Sequence, residues 1–184
     1  IPVLGKETTT ASVMTYGYNP LISKWSPYHG AMYAIVESVA KIVAMGGNYH
    51  TIRFSFQEYF EKLLDNPITW GKPTAALLGA YRVQSALNLA SIGGKDSMSG
   101  SFEDLHVPPT LVSFAITSGD VNDIMTPEIK ETGHVLAEII INKDQYHIFD
   151  FNHLQKQYDA IMELMKDKKI YSAYTVKDGG VIEA

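Results

Sequence analysis

The segment Ser91-Ile-Gly-Gly-Lys-Asp-Ser-Met-Ser-Gly100 packs a glycine pair, a lysine, a carboxylate and three hydroxyls into ten residues. Helical sequence precedes it, and a β-branched run, Pro109-Thr-Leu-Val-Ser-Phe-Ala-Ile116, follows. The chain must therefore turn from helix to strand across it. Glycine lets backbone N–H groups turn toward an anion, and lysine adds a compact positive charge. The carboxylate can hold Mg²⁺. This is the chemistry of a phosphate site, but not of a P-loop. That motif needs glycine where Leu89 stands and Ser or Thr where Asp96 stands. A plain glycine turn is the alternative, and on the residues alone the two readings stand level.

Composition bounds the rest. With 184 residues and 46% hydrophobic content, the chain can form one domain, or one and a fraction, around a packed core. A net charge of −5 with no basic tract argues against nucleic acid as a partner. The absence of cysteine excludes disulfides, a thiol nucleophile and zinc thiolates. No apolar run reaches the roughly 20 residues of a membrane span. The chain starts at Ile1 without Met, and Asp178-Gly-Gly-Val-Ile-Glu-Ala184 resembles the entrance to a helix that does not follow. Both ends suggest a piece of a longer protein.

Residues 1–25 show no period and read as loop with short extended segments. Ser26-Pro27 is a helix start, Ser as N-cap and Pro at the first helical position. The helix runs to Met45, apolar on most faces, and Gly46-Gly47 ends it. Tyr49–Phe56 alternates as a strand with Ile52, Phe54 and Phe56 on one face. Gln57–Leu64 reads as a short helix, broken by Asp65-Asn-Pro67. Lys72-Pro73 opens a second long helix to about Leu89, with Leu77, Leu78, Tyr81, Ala86 and Leu89 as its apolar stripe. The glycine motif follows as strand end and loop, then a strand from Thr110 to Thr117. Residues 119–132 read as a linker. Beyond it come an apolar strand at 135–142, a helix capped by Asp150 with Leu154, Tyr158, Ile161 and Met165 at helical spacing, and a strand at 170–176. The order is mixed α/β.

Glu37 and Lys41 stand four apart on the first long helix. Such a pair is usually a solvated ion pair. Projecting from a helix that is otherwise apolar, it is better placed to line a cleft. The six histidines are scattered, none at zinc-ligand spacing, and His29 alone sits in a dense polar and aromatic cluster. No Gly-x-Ser-x-Gly elbow supports a serine hydrolase.

Three segments resemble phosphoribosylformylglycinamidine synthase, in its long single-chain form. They are Thr15 to Lys41 (TYGYNPLISKWSPYHGAMYAIVESVAK), Ile52 to Phe60 (IRFSFQEYF), and Ile92 to Gly100 followed by Val107 to Ala115 (VPPTLVSFA). The resemblance covers most of residues 5–118 and is weaker over 134–184. It implies an α/β (α+β) fold: an N-terminal domain like that of aminoimidazole ribonucleotide (AIR) synthetase over residues 1–125, and the beginning of its C-terminal α/β domain over 133–184. It also implies an ATP-dependent carbon–nitrogen ligase of purine biosynthesis. ATP and Mg²⁺ serve as cofactors and formylglycinamide ribonucleotide as substrate, while a glutaminase domain of the same parent chain supplies ammonia. The setting is cytoplasmic, and the piece alone is expected to be inactive. Exposed sheet edge and apolar surface would admit a dimer.

Residue by residue, Glu37 matches a carboxylate that binds Mg²⁺, and Lys41 stands where relatives often carry a metal-binding asparagine. Gly94, Lys95 and Ser97 match a loop that meets phosphate, with Asp96 beside them. Ser55 and Gln57 match the end of a strand lining the same cleft. Near the C-terminus the family usually reads His-Asp-x-Ser-Asp-Gly-Gly. Here Tyr174-Thr-Val-Lys-Asp-Gly-Gly180 keeps Asp178, puts Thr175 at the metal-binding aspartate and Lys177 at the serine. Lysine thus takes the place of metal charge, or this half is a structural nucleotide site. No catalytic residue is assigned. A different enzyme on the same unit, such as AIR synthetase or selenophosphate synthetase, is a further alternative.

Overall fold

The computed structural model describes residues 1–177 and 179–182. They divide into two compact units, one of Met14–Val39 and Ile52–Ile116, the other of Ile1–Val13, Ala40–Thr51 and Thr117–Ala184. The α/β class read from the sequence holds. A four-stranded sheet has the order β1 (Thr10–Gly17), β6 (Thr110–Asp120), β2 (Arg53–Tyr59), β3 (Ala90–Ser97). The helices are α1 (Pro20–Trp25), α2 (Pro27–Ala44), α3 (Pro67–Leu87) and α4 (Phe151–Lys166), and a small hairpin joins β4 (Ser101–Phe102) to β5 (Leu105–His106).

In the first unit, β2 runs antiparallel to β6, with Arg53 opposite Ile116 and Tyr59 opposite Thr110. It runs parallel to β3, where the register slips by one residue between Phe54, opposite Ser91, and Ser55, opposite Gly93. Ile92 is the extra residue of this β-bulge. Alternation along β2 turns Phe54, Phe56 and Glu58 into the core and leaves Ser55 and Gln57 half-buried on the other face. Helix α2 packs on the core face. The Ser38 hydroxyl lies 2.9 Å from that of Ser113 on β6, and the Ser38 carbonyl accepts from Thr15 Oγ1 at 2.6 Å. Helix α3 crosses α2 where Gly79 meets the Tyr28 carbonyl.

Several expectations are corrected. The glycine motif, read as strand end and loop, is strand β3 as far as Ser97, because its backbone pairs with β2. Residues 57–59 continue β2 instead of opening a helix, held by β6 on one side and β3 on the other. Asp65-Asn-Pro67 starts α3 instead of breaking a helix: the Asn66 side chain caps the Ile68 amide at 2.9 Å, and Pro67 takes the first turn. Pro73 lies within this helix. The buried stripe of α3 is Pro73, Ala76, Gly79, Ala80, Val83 and Leu87, while Leu77, Leu78 and Tyr81 face out. Small residues face inward because α2 comes close. Residues 10–17, within a stretch read as loop with short extended segments, form the eight-residue strand β1.

In the second unit, Asp150 caps α4 by accepting from the His153 amide at 3.0 Å, as the sequence indicated. Helix α4 buries Phe151, Leu154 and Tyr158. The buried Tyr49 donates its hydroxyl to Asp159 at 3.1 Å, and its ring meets that of Tyr158 at 5.5 Å. Tyr49→Phe is expected to cost about 1 kcal/mol, read as a lower midpoint in urea with an unchanged slope. The expected strands at 135–142 and 170–176 do not form. Val135 and Leu136 are 91% and 81% exposed, and among the described residues no strand pairs with either segment. β-propensity needs a partner strand to act on.

Candidate functional site

Ser55, Gln57, Gly94, Lys95, Asp96 and Ser97 come together on two adjacent parallel strands. Gln57 stands opposite Lys95, Glu58 opposite Asp96 and Tyr59 opposite Ser97. Side chains of paired residues share a sheet face. Gln57 and Lys95 therefore lie on the face away from α2, and Gln57 Nε2 donates to the Lys95 carbonyl at 2.9 Å. The exposed Lys95 ammonium folds back to the Asp96 carbonyl at 2.9 Å. The Ser97 hydroxyl lies 3.1 Å from that of Ser99, where the chain leaves the sheet. Phe60 N donates to the Ser97 carbonyl at 2.8 Å, and Gly100 N returns a bond to the Phe60 carbonyl at 2.9 Å. The motif's end is thus clamped to the strand beside it. Gly94 is fixed by packing: a Cβ there would overlap the Phe56 carbonyl of β2.

Glu37 lies half-buried on α2 in the same unit, its Oε2 accepting from the Tyr18 amide at 3.2 Å. Tyr18 in turn joins its hydroxyl to Thr110 at 2.9 Å, at the start of β6. Glu37 therefore fastens the exit of β1. Lys41, one turn further along α2 and in its last turn, belongs to the other unit, as does the half-buried Lys177, whose carbonyl accepts from Gly180 N at 3.0 Å. Asp178 lies outside the described residues. Among the described residues no group of three or more His, Asp or Glu side chains could hold a metal ion.

Sequence reasoning missed Glu58. It is 3% exposed, and the cost of burying its charge, with the nearby Asp96 carboxylate, pushes its pKa up to about 7. Phe54, Phe56, Glu58 and Phe60 alternate along the chain, so continuing the period of two past Phe56 would have found it. A second acidic group, Glu61, is buried beneath Lys72 of α3 and has His106 Nδ1 at 3.9 Å from its other oxygen. His106 Nδ1 also meets the Ser101 hydroxyl at 2.9 Å. His106 and Ser101 line a groove of about 410 Å³ together with Ser99, Phe102, Leu105 and Val107.

No protein-family model matches the chain. In sequence it is similar to phosphoribosylformylglycinamidine synthase subunit PurL of Thermococcus sibiricus, 22% identical over 89% of this chain and 25% of that protein. Its fold matches solved structures of Thermotoga maritima PurL. The complex with AMPPCP gives a TM-score of 0.68 at 13% identity, over 88% of this chain and 26% of that one. The complexes with ATP and with FGAR give 0.66 and 0.67, each at 14% identity and over 88% of this chain, covering 26% and 24% of the respective PurL chains. The chain spans about a quarter of the length of these relatives. Over most of its residues this chain has the fold of part of a PurL subunit, and the resemblance carried by its motifs is matched by a sequence similarity to that subunit.

Proposed function

We propose that this chain is part of an ATP-dependent carbon–nitrogen ligase of the phosphoribosylformylglycinamidine synthase type. The whole enzyme would convert formylglycinamide ribonucleotide to its amidine with ammonia from a glutaminase partner, in the cytoplasm. In this reading residues 1–125 belong to the N-terminal domain of one repeat and 133–184 open its C-terminal domain. The observation that carries the reading is the fold likeness to PurL, structures of which hold ATP and FGAR. The two most specific motifs, Gly-Lys-Asp-Ser-Met-Ser and Pro-Pro-Thr-Leu-Val-Ser-Phe, fall at β3 and β6, the two neighbours of β2.

Lys95 is the primary phosphate contact in this proposal, exposed on a strand whose position Gln57 and the Phe60 clamp secure. Ser55 and Ser97 share the face of Lys95, Gly94 and Asp96 adjoin it along the strand, and Lys41 and Lys177, in the other unit, are candidate phosphate contacts in their own right. Phosphoryl transfer is chiefly positioning and charge stabilisation, which a lysine on a fixed strand can provide. Magnesium, which family chemistry would bring with the nucleotide, would be held by Glu37 in this reading, with further ligands needed to complete its shell, since among the described residues no cluster of three or more His, Asp or Glu side chains is present. Isothermal titration of ADP into the full chain is expected to show binding that weakens at least about tenfold in Lys95→Ala, a loss of about 1.4 kcal/mol. Equal affinity of the two proteins would remove Lys95 from the site.

A second reading, a structural nucleotide half without chemistry, draws on lysines at 41 and 177 where relatives carry asparagine and serine. It expects ADP that remains bound through dialysis and is not hydrolysed from ATP.

A further inference from the structure

We infer that Glu58 and Asp96 form a proton-holding carboxyl pair that governs how firmly β3 stays in the sheet. At mildly acidic pH the pair retains a proton and the strand bearing Lys95 is held. Above neutrality it loses that proton and the strand loosens. The consequence for phosphate binding at Lys95 rests on the proposed function, whereas the behaviour of the strand does not.

The geometry is specific. Glu58 lies in an interior strand and Asp96 directly beside it on the edge strand, in register, their side chains on the same sheet face. Glu58 is 3% exposed, and among the described residues it has no hydrogen-bond or ion-pair partner. A carboxyl stripped of most of its water, with no protein donor to replace it, is more stable neutral than ionised. Among the described residues no cation is paired with it. On its β6 side the residue opposite is Leu111, and its neighbours along β2 on this face are Phe56 and Phe60. The buried faces of the helices in this unit carry mostly apolar residues, with Ser23 and Ser38 the polar exceptions. Their charged groups are otherwise engaged or turned away: Lys72 is held by Glu61, Glu37 by the Tyr18 amide, and Arg82 is exposed. Nearby, His106 pairs with Ser101 and Glu61, and the Lys95 ammonium bonds the Asp96 carbonyl on the opposite side of the strand.

β3 is the element that can respond. It is an edge strand, exposed along nearly its whole length, and among the described residues its only ladder is with β2. Repulsion between Glu58 and Asp96 acts across that ladder. The sign follows from proton affinity. The folded Glu58 holds its proton up to about pH 7, against an ordinary value of 4.5. Between these values the native state binds a proton that the unfolded chain has released, so stability falls as pH rises through this window and levels off above it.

The test is urea unfolding of the full chain from pH 5 to 9, with amide hydrogen exchange of residues 90–97 corrected for the intrinsic pH dependence. The wild-type unfolding constant is expected to rise by up to about two orders of magnitude across the window, with protection lost first in β3. Glu58→Gln should flatten the profile, and Asp96→Asn should keep it while moving its midpoint to lower pH. Persistence of the slope in Glu58→Gln, or β3 protection unchanged from pH 5 to 8, would overturn the inference. So would millimolar Mg²⁺ stabilising the wild type, but not Glu58→Gln, at pH 8, since the pair would then be a cation site.

Discussion

Gly79→Ala is expected to destabilise the chain by about 2 kcal/mol or more, against the helix-propensity trend. In a helix interior alanine is favoured over glycine by roughly 0.5–1 kcal/mol. At position 79, however, the new Cβ would overlap the backbone carbonyl oxygen of Tyr28 in the first turn of α2. A carbonyl in a helix cannot rotate aside, so the two helices must separate along a contact built from Ala76, Ala80 and Val83 on the α3 side. Gly71 supplies the control within the same helix: nothing lies within 4 Å of its Cβ position. Gly71→Ala should raise stability by a few tenths to about 1 kcal/mol. Urea midpoints of the two variants should move in opposite directions. A stable Gly79→Ala would mean that the α2–α3 contact is loose in solution.

Gly94→Ala should detach the edge strand. Its Cβ would overlap the Phe56 carbonyl and crowd the Phe56 nitrogen at 3.2 Å, all backbone atoms of β2. The expected loss is about 1–3 kcal/mol, and because β3 carries Lys95, ADP affinity in the same protein should fall more than in Lys95→Ala. Hydrogen exchange can locate the damage. Protection should drop across 90–97 while α4, in the other unit, retains its own. Uniform loss of protection would show that β3 is not a separable layer.

The amino-acid sequence exposed those elements whose signals are local. Ser26-Pro27 opens α2, Asp150 caps α4, and Phe54 and Phe56 with the Thr110 strand declare the core face of the sheet. It concealed those decided by neighbours. Leu77, Leu78 and Tyr81 form a persuasive apolar stripe, yet the close approach at Gly79 selects the small-residue face of α3 for burial. Ser91–Ser97 has the composition of a loop, and pairing with β2 makes it a strand. Val135–Asn142 has the composition of a strand, and without a partner strand among the described residues it forms none. The candidate site divides the same way. Lys95 and Ser97 stood out by residue type within the glycine motif, while Gln57 entered only through the family resemblance. The Glu58–Asp96 pair was not, because 38 positions separate the two in sequence and only the ladder makes them neighbours.

That ladder is read one residue out of frame. With the Ile92 bulge, Gln57 faces Lys95 and Glu58 faces Asp96. Without it, every β3 residue beyond Ser91 would move up one place. Lys95 would then stand beside Glu58, an ammonium against the buried carboxylate, and Asp96 would turn to the opposite face beside Tyr59. Drawing Ile92 into the regular ladder would thus exchange a titrating acid pair for a salt bridge and withdraw the lysine from its face, whereas deleting residue 92 would remove the bulge and leave Lys95 opposite Gln57. The bulge at Ile92 therefore decides which face of the sheet the lysine takes, as residue type decides its charge.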